Sequence, residues 1–539
     1  MATKYTLEEL NTMSPDAKDL LIISLQDQIE RLNDNLEKLI EQVRLADQYR
    51  FGRRTEKLSQ IEGQMSMFDE AEFTYDEDAN EPDIDEVIIK KPRKPKQKGK
   101  RDKDLEGFET EPHLHDITKE QLDAFYGEGN WKSRPDEVYK RLKYQPASWK
   151  VEVHTVKVYV GTGGDHQDEF MRGDRPKDLL RNSLATPSLV AAIFNGKFVN
   201  SMPYDRMEQE FKRNGVKITK QNMADWTINI SNKYFKPFCE RMQYHLLLYH
   251  VNQSDETPCQ VINDGRSPGS KSYMWVHRSG ELYKDKQIVL YEYQKGRDHH
   301  IPLEYYKDYS GVLVTDGLSQ YHLVNKKLEG LQNSNCWAHA RRDYSDAIKI
   351  AGNKSPEAIK KSVAYQALVR IGTIYKLDEG LKDLSPEERL KERQANIKPL
   401  VNEYFNWVKE QLATTLPKGK TAEGLNYSVN QEQYLRVFLE DGEVPIDNSA
   451  CERALRTFCV GKKNWLFFDS PRGAEASARV FSIAETAKLN GLRPYHYFEY
   501  ILTELPKLCD ADGNIDSTKL DHLMPWSPEI PDECRKPQQ

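Results

Sequence analysis

With 539 residues, the chain is too long to fold around a single hydrophobic core, so several domains are expected. Hydrophobic residues make up 38% of the chain and charged residues 30%, and we find no apolar run of membrane-spanning length and no signal-like start, which disfavours membrane and secreted proteins. The seven cysteines are scattered and odd in number, which gives no disulfide framework and favours reduced thiols in a cytoplasmic protein.

The net charge of -7 conceals two opposite segments. Residues 69–86 are acidic without any lysine or arginine, and residues 90–101 are almost purely basic. The local field, rather than the charge of the whole chain, decides which partners a surface attracts. The composition therefore does not exclude a polyanionic partner.

An N-terminal coiled-coil helix is predicted for residues 1–61. Seven apolar residues alternate there in steps of three and four over about three heptads: Ile22, Leu25, Ile29, Leu32, Leu36, Leu39 and Val43. An acidic segment follows instead of a partner helix, so we favour self-association over a hairpin within one chain. Residues 62–112 lack periodicity and carry blocks of like charge, which is typical of a disordered linker that either tethers the domains or contacts DNA phosphates.

A small β-module is predicted for residues 113–170, because apolar and polar residues alternate from Lys150 to Val160. No cysteine precedes Cys239, and the four histidines of this module show no metal-ligand spacing, so no zinc site is expected.

A helix-turn-helix DNA-binding region is predicted for residues 175–243. Residues 204–211 form the first helix, Gly215 permits a left-handed turn, and Thr219 is a good N-cap for the second helix. Helix pairs of this kind also occur in proteins that do not bind DNA. The second helix opens with three polar residues that could reach base edges or phosphates: Lys220, Gln221 and Asn222.

From residue 244 the pattern is α/β. Two apolar runs that read as strands, Tyr244–Val251 and Gly311–Val314, precede Asp255 and Asp316, with a predicted hairpin between them at residues 274–293. A helical, charged segment without strand signals follows and divides the α/β pattern. The predicted parts are a catalytic domain, first part (244–350), a helical insertion (351–441), the second part of the domain (442–500) and a C-terminal tail (501–539).

A third acid, Glu452, stands in a helical register one turn after Asp447 and Asn448, either of which could cap the helix. Two strand-end aspartates and one helical glutamate suit a site for two hard divalent cations, which prefer oxygen ligands and clamp the attacking and leaving oxygens of a phosphodiester. Each acid alone is weak evidence in a chain with 85 aspartates and glutamates, so the surrounding sequence decides.

That surrounding sequence resembles the insertion sequence 66 family of bacterial transposases. The matching strings are, in chain order, F-G-R-R-T-E-K-L at 51–58, D-E-T-P at 255–258, D-G at 316–317, C-W-A-H-A-R-R at 336–342, D-N-S-A-C-E-R-A-L-R at 447–456, G-K-K-N-W-L-F at 461–467, E-T-A-K-L-N-G at 485–491 and L-M-P-W at 523–526. They cover nearly the whole chain. The family usually carries C-x-x-C pairs at the position of the β-module, and this chain departs from it there.

The resemblance implies a multidomain α/β protein whose RNase H-like catalytic domain contains an all-α insertion and is preceded by a helix-turn-helix domain, a small β-module and a coiled coil. It implies DDE chemistry in which Asp255, Asp316 and Glu452 are the catalytic residues and bind two Mg²⁺ (or Mn²⁺) ions. Water would cleave a phosphodiester, and the freed 3′-hydroxyl would attack target DNA.

The expected partners are the terminal inverted repeats of the element and its target DNA, a second copy of the chain or a higher oligomer, and two small accessory proteins of the same element. No membrane contact is expected, and the protein would be cytoplasmic and associated with the nucleoid. Besides the helix-turn-helix residues, the predicted DNA contacts are His339, Arg341, Arg342, Arg453, Arg456, Lys462, Lys463 and Trp465. Core packing is the alternative for Trp465.

Two other functions remain open at this point. A non-catalytic DNA-binding or scaffold protein would use only the helix-turn-helix region and the coiled coil. An RNase H-like nuclease without strand joining would share the three acids but would not account for the N-terminal regions.

Overall fold

The computed structural model describes residues 118–128, 148–160, 162, 170–173, 177–267, 269–351, 356–415 and 418–537, together with Ser14 and Lys18. Apart from those two positions, the predicted coiled-coil helix and charged linker lie outside the described residues. Within the described part of the chain, no helix is long and apolar enough to cross a membrane. The described residues divide into two compact units, a larger one formed by 178–534 with Ser14 and Lys18, and a smaller one formed by 118–177 and 535–537.

The smaller unit contains helix α1 (Lys119–Tyr126) and two short antiparallel strands, β1 (Val158–Val160) and β2 (Phe170–Arg172). The strand predicted for residues 150–160 is therefore confirmed only at its last three residues. Val151 and Val153 are 90% and 84% exposed, so the apolar side of the alternation has no covering layer among the described residues.

Four helices open the larger unit: α2 (Pro187–Phe194), α3 (Tyr204–Arg213), α4 (Lys220–Ile230) and α5 (Lys236–Leu247). The predicted turn and cap between α3 and α4 are both present. Gly215 has φ +77°, and the Thr219 side chain accepts a hydrogen bond from the backbone of Asn222, whose side chain in turn accepts one from the Thr219 N–H.

The strand predicted for Tyr244–Val251 is wrong. Helix α5 continues to Leu247, and the strand begins at Val251. A short apolar run does not distinguish a strand from the end of a buried helix, and here Met242 and Leu246 lie one helical turn apart with no exposure.

A five-stranded mixed sheet forms the centre of the larger unit, with strand order β5-β4-β3-β6-β7. Strands β3, β4 and β5 are antiparallel, whereas β6 and β7 run parallel to β3. The predicted hairpin and the predicted strand at residue 311 are confirmed. The bounds are β3 (Val251–Cys259), β4 (Ser272–Ser279), β5 (Val289–Gln294), β6 (Gly311–Thr315) and β7 (Leu331–Asn335), with α6 (His300–Tyr305) and α7 (Ser319–Lys327) between them.

The predicted helical character of residues 351–441 is confirmed over the residues that the structure describes there. The helix after β7 and those that follow it are α8 (Trp337–Ala351), α9 (Pro356–Lys361), α10 (Val363–Glu379), α11 (Pro386–Glu392), α12 (Lys398–Thr414), α13 (Lys420–Asn430) and α14 (Glu432–Leu435). Buried residues of α8, α10, α12, α13 and α14 form one apolar core with Val312 and Val314 of β6.

Three further helices complete the unit: α15 (Ser449–Trp465), α16 (Pro471–Leu489) and α17 (Pro494–Glu504). Helix α16 lies along β5, where the side chains of Ser482 and Thr486 exchange hydrogen bonds with the strand's backbone. The tail after α17 packs back into the core formed with α2–α5, and Leu520 and Leu523 are fully buried.

The two faces of the sheet are covered by different helices, because successive side chains of a strand point to opposite sides. Val276 and Val314 contribute to the cores beneath α15, α16 and the helical insertion. Trp275 and Leu313 lie in a separate core beneath α6 and α7. The face under α15 is the one that presents the candidate active site.

A buried arginine fastens the insertion to the segment that leads into α15. Arg393 is 1% exposed and donates to both carboxylate oxygens of Asp378 at 2.7 and 3.1 Å. Its Nη1 also donates to the carbonyl oxygens of Phe438, Asp441 and Val444 at 2.8, 3.0 and 2.8 Å. One side chain thus holds the chain just before the Glu452 helix.

Replacing Arg393 with methionine should destabilise the protein by about 3–5 kcal/mol, because Asp378 and three carbonyls would lose their donor inside the core. Urea unfolding of the purified protein measures the change. Arg213→Met is the matched control, since Arg213 pairs with Glu210 at the surface, and its effect should stay within about 0.5 kcal/mol. Equal effects for the two variants would contradict the assignment.

Candidate active site

Asp255 and Asp316 are neighbours on the sheet. Strands β3 and β6 pair in parallel with Gln253 opposite Val314, and each aspartate stands two residues further along its own chain. A step of two residues keeps a side chain on the same face, so both aspartates share the face of Val314. Asp255 lies within β3, whereas Asp316 directly follows the end of β6.

Glu452 reaches the site from the first turn of α15, whose start is tied to β3. Asn448 occupies the N-cap position without capping the helix. Instead, its Nδ2 donates to the Ser254 carbonyl at 2.9 Å, and its Oδ1 accepts from Gln253 Nε2 at 3.1 Å. Asp447 supplies the local contact at the helix start by accepting the Ser449 N–H at 2.9 Å. The aim of Glu452 is therefore set by the strand that carries Asp255.

The pKa values of the three carboxyl groups are all shifted by their surroundings. Burial raises the pKa of each of them above its ordinary value. The charges of Asp316, Glu256 and Glu452 raise the pKa of Asp255 further, and that of Asp316 contributes to the raised pKa of Glu452. These contributions show that the carboxyl groups of the three acids interact electrostatically.

The donor set of the three acids fits a hard divalent cation. Their donors are all carboxylate oxygens, which are the preferred ligands of Mg²⁺ and Mn²⁺. Glu452 Oε1 is buried and has no hydrogen-bond partner, so one oxygen of the cluster still lacks a positive or donating neighbour at hydrogen-bond distance. Asp255, Asp316 and Glu452 are the residues that could hold such an ion.

A basic side chain and a histidine flank Glu452. Arg342 Nη2 lies 3.8 Å and His339 Nδ1 3.7 Å from Glu452 Oε1. Burial, and to a smaller degree the charge of Arg342, lowers the pKa of His339 to about 4, so its imidazole is neutral at pH 7. The C-W-A-H-A-R-R string therefore brings two of its predicted DNA contacts beside a predicted catalytic acid.

The glycine of the D-G pair permits a close approach by the helical insertion. A Cβ on Gly317 would lie 2.5 Å from the phenol oxygen of Tyr427, which is carried by α13. The Tyr427 hydroxyl is buried without a hydrogen-bond partner, and the charge of Asp316 contributes to its raised pKa. Any larger residue at 317 would push this ring away from the carboxylates.

Glu256 turns away from the three acids and enters a separate buried contact. It accepts a hydrogen bond from the Tyr321 hydroxyl at 2.9 Å and pairs with Arg297 at 3.2 Å. Burial and the charge of Asp316 raise its pKa to about 7. These contacts indicate a structural role for Glu256.

The remaining predicted DNA contacts of this region differ in position. Arg456 contributes to the electrostatics of Glu452, whereas exposed Arg453 pairs with Glu281. Lys462 donates to the Pro258 carbonyl at 2.6 Å, and Lys463 is exposed.

Trp465 packs against the core, 6.3 Å from Phe481 and 4.6 Å from the Lys197 ammonium. Arg341 is half-buried on α8.

The three predicted contacts of the helix-turn-helix region are exposed on α4, and each has a local partner. Lys220 Nζ lies 3.3 Å from Asp205, and Gln221 donates to Asp225 at 2.9 Å. Asn222 completes the capping box with Thr219. Acidic side chains thus surround the surface that was predicted to meet DNA.

Sequence reasoning missed four residues of the site: Gln253, Arg297, Asn448 in its bridging role, and Tyr427. Asn448 stands in a recognised string, so only its function was misjudged. The others make contacts over long sequence distances and follow no local pattern. Gln253 lies among other polar residues of β3, so the sequence around it gave no signal either.

Comparison with known proteins adds family relationships. The sequence model described as Transposase IS66 family matches residues 182–476 of this chain, which is more than half of it. The model described as IS66 C-terminal element matches residues 482–526. A third, described as Transposase C of IS166 homeodomain, matches residues 38–108 and indicates a homeodomain-like N-terminal region.

Three proteins of Sinorhizobium fredii (strain NBRC 101917 / NGR234) are similar over much of their length. Uncharacterized protein y4qI is 26% identical over 402 residues, which cover 72% of this chain and 70% of that protein. Uncharacterized protein y4hP is 26% identical over 349 residues, 63% and 62% of the two chains. Uncharacterized protein y4jD is 24% identical over 370 residues, 67% and 70% of the two chains. None of these names states an activity.

Replacing Glu256 with glutamine should stabilise the protein at pH 8 and not at pH 4. The folded-state pKa of about 7 lies above the 4.5 of an exposed glutamate, so ionisation costs stability as the pH rises from 4.5 to 7, and the whole cost is present above that range. The gain at pH 8 is at most about 3 kcal/mol, reduced by the lost pairing with Arg297.

Unfolding at both pH values measures this difference, with the exposed Glu304→Gln as the control. A gain that is equal at pH 4 and pH 8 would show that ionisation of Glu256 is not its cause.

Proposed function

This chain belongs to the Transposase IS66 family, and from that premise we propose that it is a DDE-type DNA transposase that cleaves the ends of an insertion sequence and joins them to target DNA. The observation that carries the proposal is the convergence of Asp255, Asp316 and Glu452 on one face of the sheet. Neighbouring strands and a helix anchored to one of them present the three acids together.

The fold supports the RNase H-like assignment of the catalytic domain. The support is a sheet of three antiparallel strands followed by two parallel ones, in the order β5-β4-β3-β6-β7, with Asp255 within the central strand β3 and Asp316 directly after the neighbouring strand β6. The helical insertion then separates the second acid from the third in the chain. This arrangement supports reading residues 244–350 and 442–500 as the two parts of one domain.

In this proposal the three acids would hold Mg²⁺ or Mn²⁺, two ions per site, and bound divalent cations would polarise the scissile phosphate and ease deprotonation of the attacking water. Other residues of the chain would position the acids and contact the phosphate. Asn448 and Gln253 keep the Glu452 helix against β3. Arg342, whose side chain is 51% exposed, is free to turn from Glu452 towards a phosphate oxygen.

Asp255→Asn, Asp316→Asn and Glu452→Gln should each lower metal-dependent nicking of the element's ends by more than about 100-fold, since even groups that only support a metal ligand cost 10–100-fold when removed. Binding to the ends should persist. Asp343→Asn is the control, because Asp343 on α8 pairs with Lys420 of the helical insertion and not with the three acids.

A gel assay of nicked and joined products separates the alternatives. Full nicking by any of the three variants would contradict the assigned site. Nicking by the wild-type protein without any joined product would instead support an RNase H-like nuclease, and neither product would support a scaffold protein.

We further propose that the α3–α4 region binds the terminal inverted repeats. The exposed start of α4 and its sharp Gly215 turn support this role, and the homeodomain-like match at residues 38–108 supports a second DNA contact. Binding requires that Lys220 and Gln221 exchange their present partners, Asp205 and Asp225, for DNA. The protein would meet this DNA in the nucleoid, with the element's two small accessory proteins.

Lys220→Ala with Gln221→Ala should weaken binding to the terminal repeats by about 1–3 kcal/mol for each base that the two side chains recognise, and should weaken binding to unrelated DNA less. Gel shifts at one salt concentration measure both, since salt alone changes phosphate affinity strongly. Lys307→Ala, which removes an exposed lysine of the catalytic domain, is the control. Unchanged repeat binding would remove this region from the interface.

We also propose that residues 1–61 pair two or more copies of the chain, so that two DNA ends are held together. The support is the a/d pattern from Ile22 to Val43. Leu32→Pro with Leu36→Asp should lower the mass measured by light scattering and the yield of paired-end complexes, whereas Asn33→Ala with Asn35→Ala should change neither. A wild-type protein that is monomeric at micromolar concentration would refute the pairing.

A further inference from the structure

A second group of metal-ligating side chains adjoins the carboxylates and includes a sulfur and a nitrogen donor. Cys336, His339 and Glu452 each offer one ligand atom, and these atoms all lie within 4.8 Å of one another. The thiol is fully buried, and the other two side chains are 17% and 13% exposed. Three different donors converge here from two separated parts of the chain.

The backbone around this group is well anchored. Cys336 directly follows β7, and His339 lies three residues later in the first turn of α8; both side chains come close to Glu452 on α15. The Asn448 N–H donates to Cys336 Sγ at 3.1 Å, and the Trp337 N–H donates to the Ile446 carbonyl at 3.2 Å. The same segment that aims Glu452 thus packs against the cysteine.

Two of the three donor atoms lack a hydrogen-bond partner. His339 Nδ1 and Glu452 Oε1 are both buried and unpaired, and they face each other at 3.7 Å. Two ligands of a tetrahedral ion at 2.0–2.1 Å would be about 3.4 Å apart. The pair is therefore close to the spacing that an ion between them would impose, and unpaired buried polar atoms require an explanation.

We propose that Cys336, His339 and Glu452 form a binding site for a borderline-soft divalent transition metal of the Zn²⁺ class, separate from the all-oxygen set but sharing Glu452 with it. Three protein ligands leave a fourth tetrahedral position for water. The thiol loses its proton to solvent when the metal binds. Arg342 opposes a cation here, and its half-exposed side chain must turn outwards.

Sharing Glu452 makes the two sets of ligands competitors. Thiolate and imidazole favour Zn²⁺ or Co²⁺, whereas Mg²⁺ binds them poorly. A metal at Cys336 and His339 would draw Glu452 away from Asp255 and Asp316. This consequence for activity rests on the proposed function, but binding at the new site does not.

Titration of the full-length metal-free protein with Co²⁺ tests the site, because a cobalt–thiolate bond gives a charge-transfer absorption band in the near ultraviolet. The expected result is one equivalent of tetrahedral Co²⁺ that is displaced by Zn²⁺ and not by excess Mg²⁺. Cys336→Ser should abolish the band, and His339→Asn should weaken cobalt binding by at least about 10-fold.

The controls separate this site from its neighbours. Cys451→Ser removes another buried thiol, adjacent to Glu452, and His300→Asn removes a ligand of the exposed group Asp298, His299 and His300; both should leave the band unchanged. Asp255→Asn should also keep it, whatever that variant does to nicking. If Cys336→Ser does not fold, the His339→Asn titration decides. Absence of the band, or a band that survives in Cys336→Ser and is unaffected by His339→Asn, would overturn the proposal.

Discussion

One buried amide connects the parts of the candidate active site. Asn448 binds the backbone of Ser254 and the side chain of Gln253 on β3, while its own N–H reaches the sulfur of Cys336 after β7. These contacts join segments that lie 194 and 112 residues apart in the chain. Because all of these groups are buried, none can be left unpaired without a cost of about 1–3 kcal/mol, and the register of α15 is fixed by that requirement.

The helical insertion contributes to the same constraint. Arg393 holds the backbone from Phe438 to Val444, only a few residues before Asn448, and Tyr427 reaches the carboxylates over Gly317. The hydrophobic core of the helical insertion includes Val312 and Val314 of β6. The helical residues 351–441 therefore contact both the segment that leads into α15 and the glycine that follows Asp316.

The sequence strings predicted the three acids of the candidate site, but local patterns were insufficient to predict the residues that contact them. The hairpin β4–β5, strand β6, the capped start of α4 and the helical insertion followed from periodicity and caps. The structure of the segment Tyr244–Val251 could not be predicted in this way, because an apolar run of eight residues is compatible with the end of a buried helix as well as with a strand. Local periodicity does not predict which distant segments of the chain come into contact. It therefore could not predict the bridging role of Asn448 or the contacts of Glu256 with Arg297 and Tyr321.

The hydrophobic cores around the candidate site, and not the three acids themselves, stabilise the folded state. Asp255, Asp316 and Glu452 all have raised pKa values, so their ionised forms oppose folding at neutral pH, and the repulsion is offset by the cores on both faces of the sheet. Glu452 belongs to both of the proposed donor sets. Its backbone is fixed by Asn448, so only its side-chain torsions can carry it between the aspartates and the pair Cys336 and His339. In our proposal, a change of Glu452 between the two donor sets would require new side-chain torsions of Glu452 and an outward turn of Arg342, while Asn448 holds the start of α15 in place.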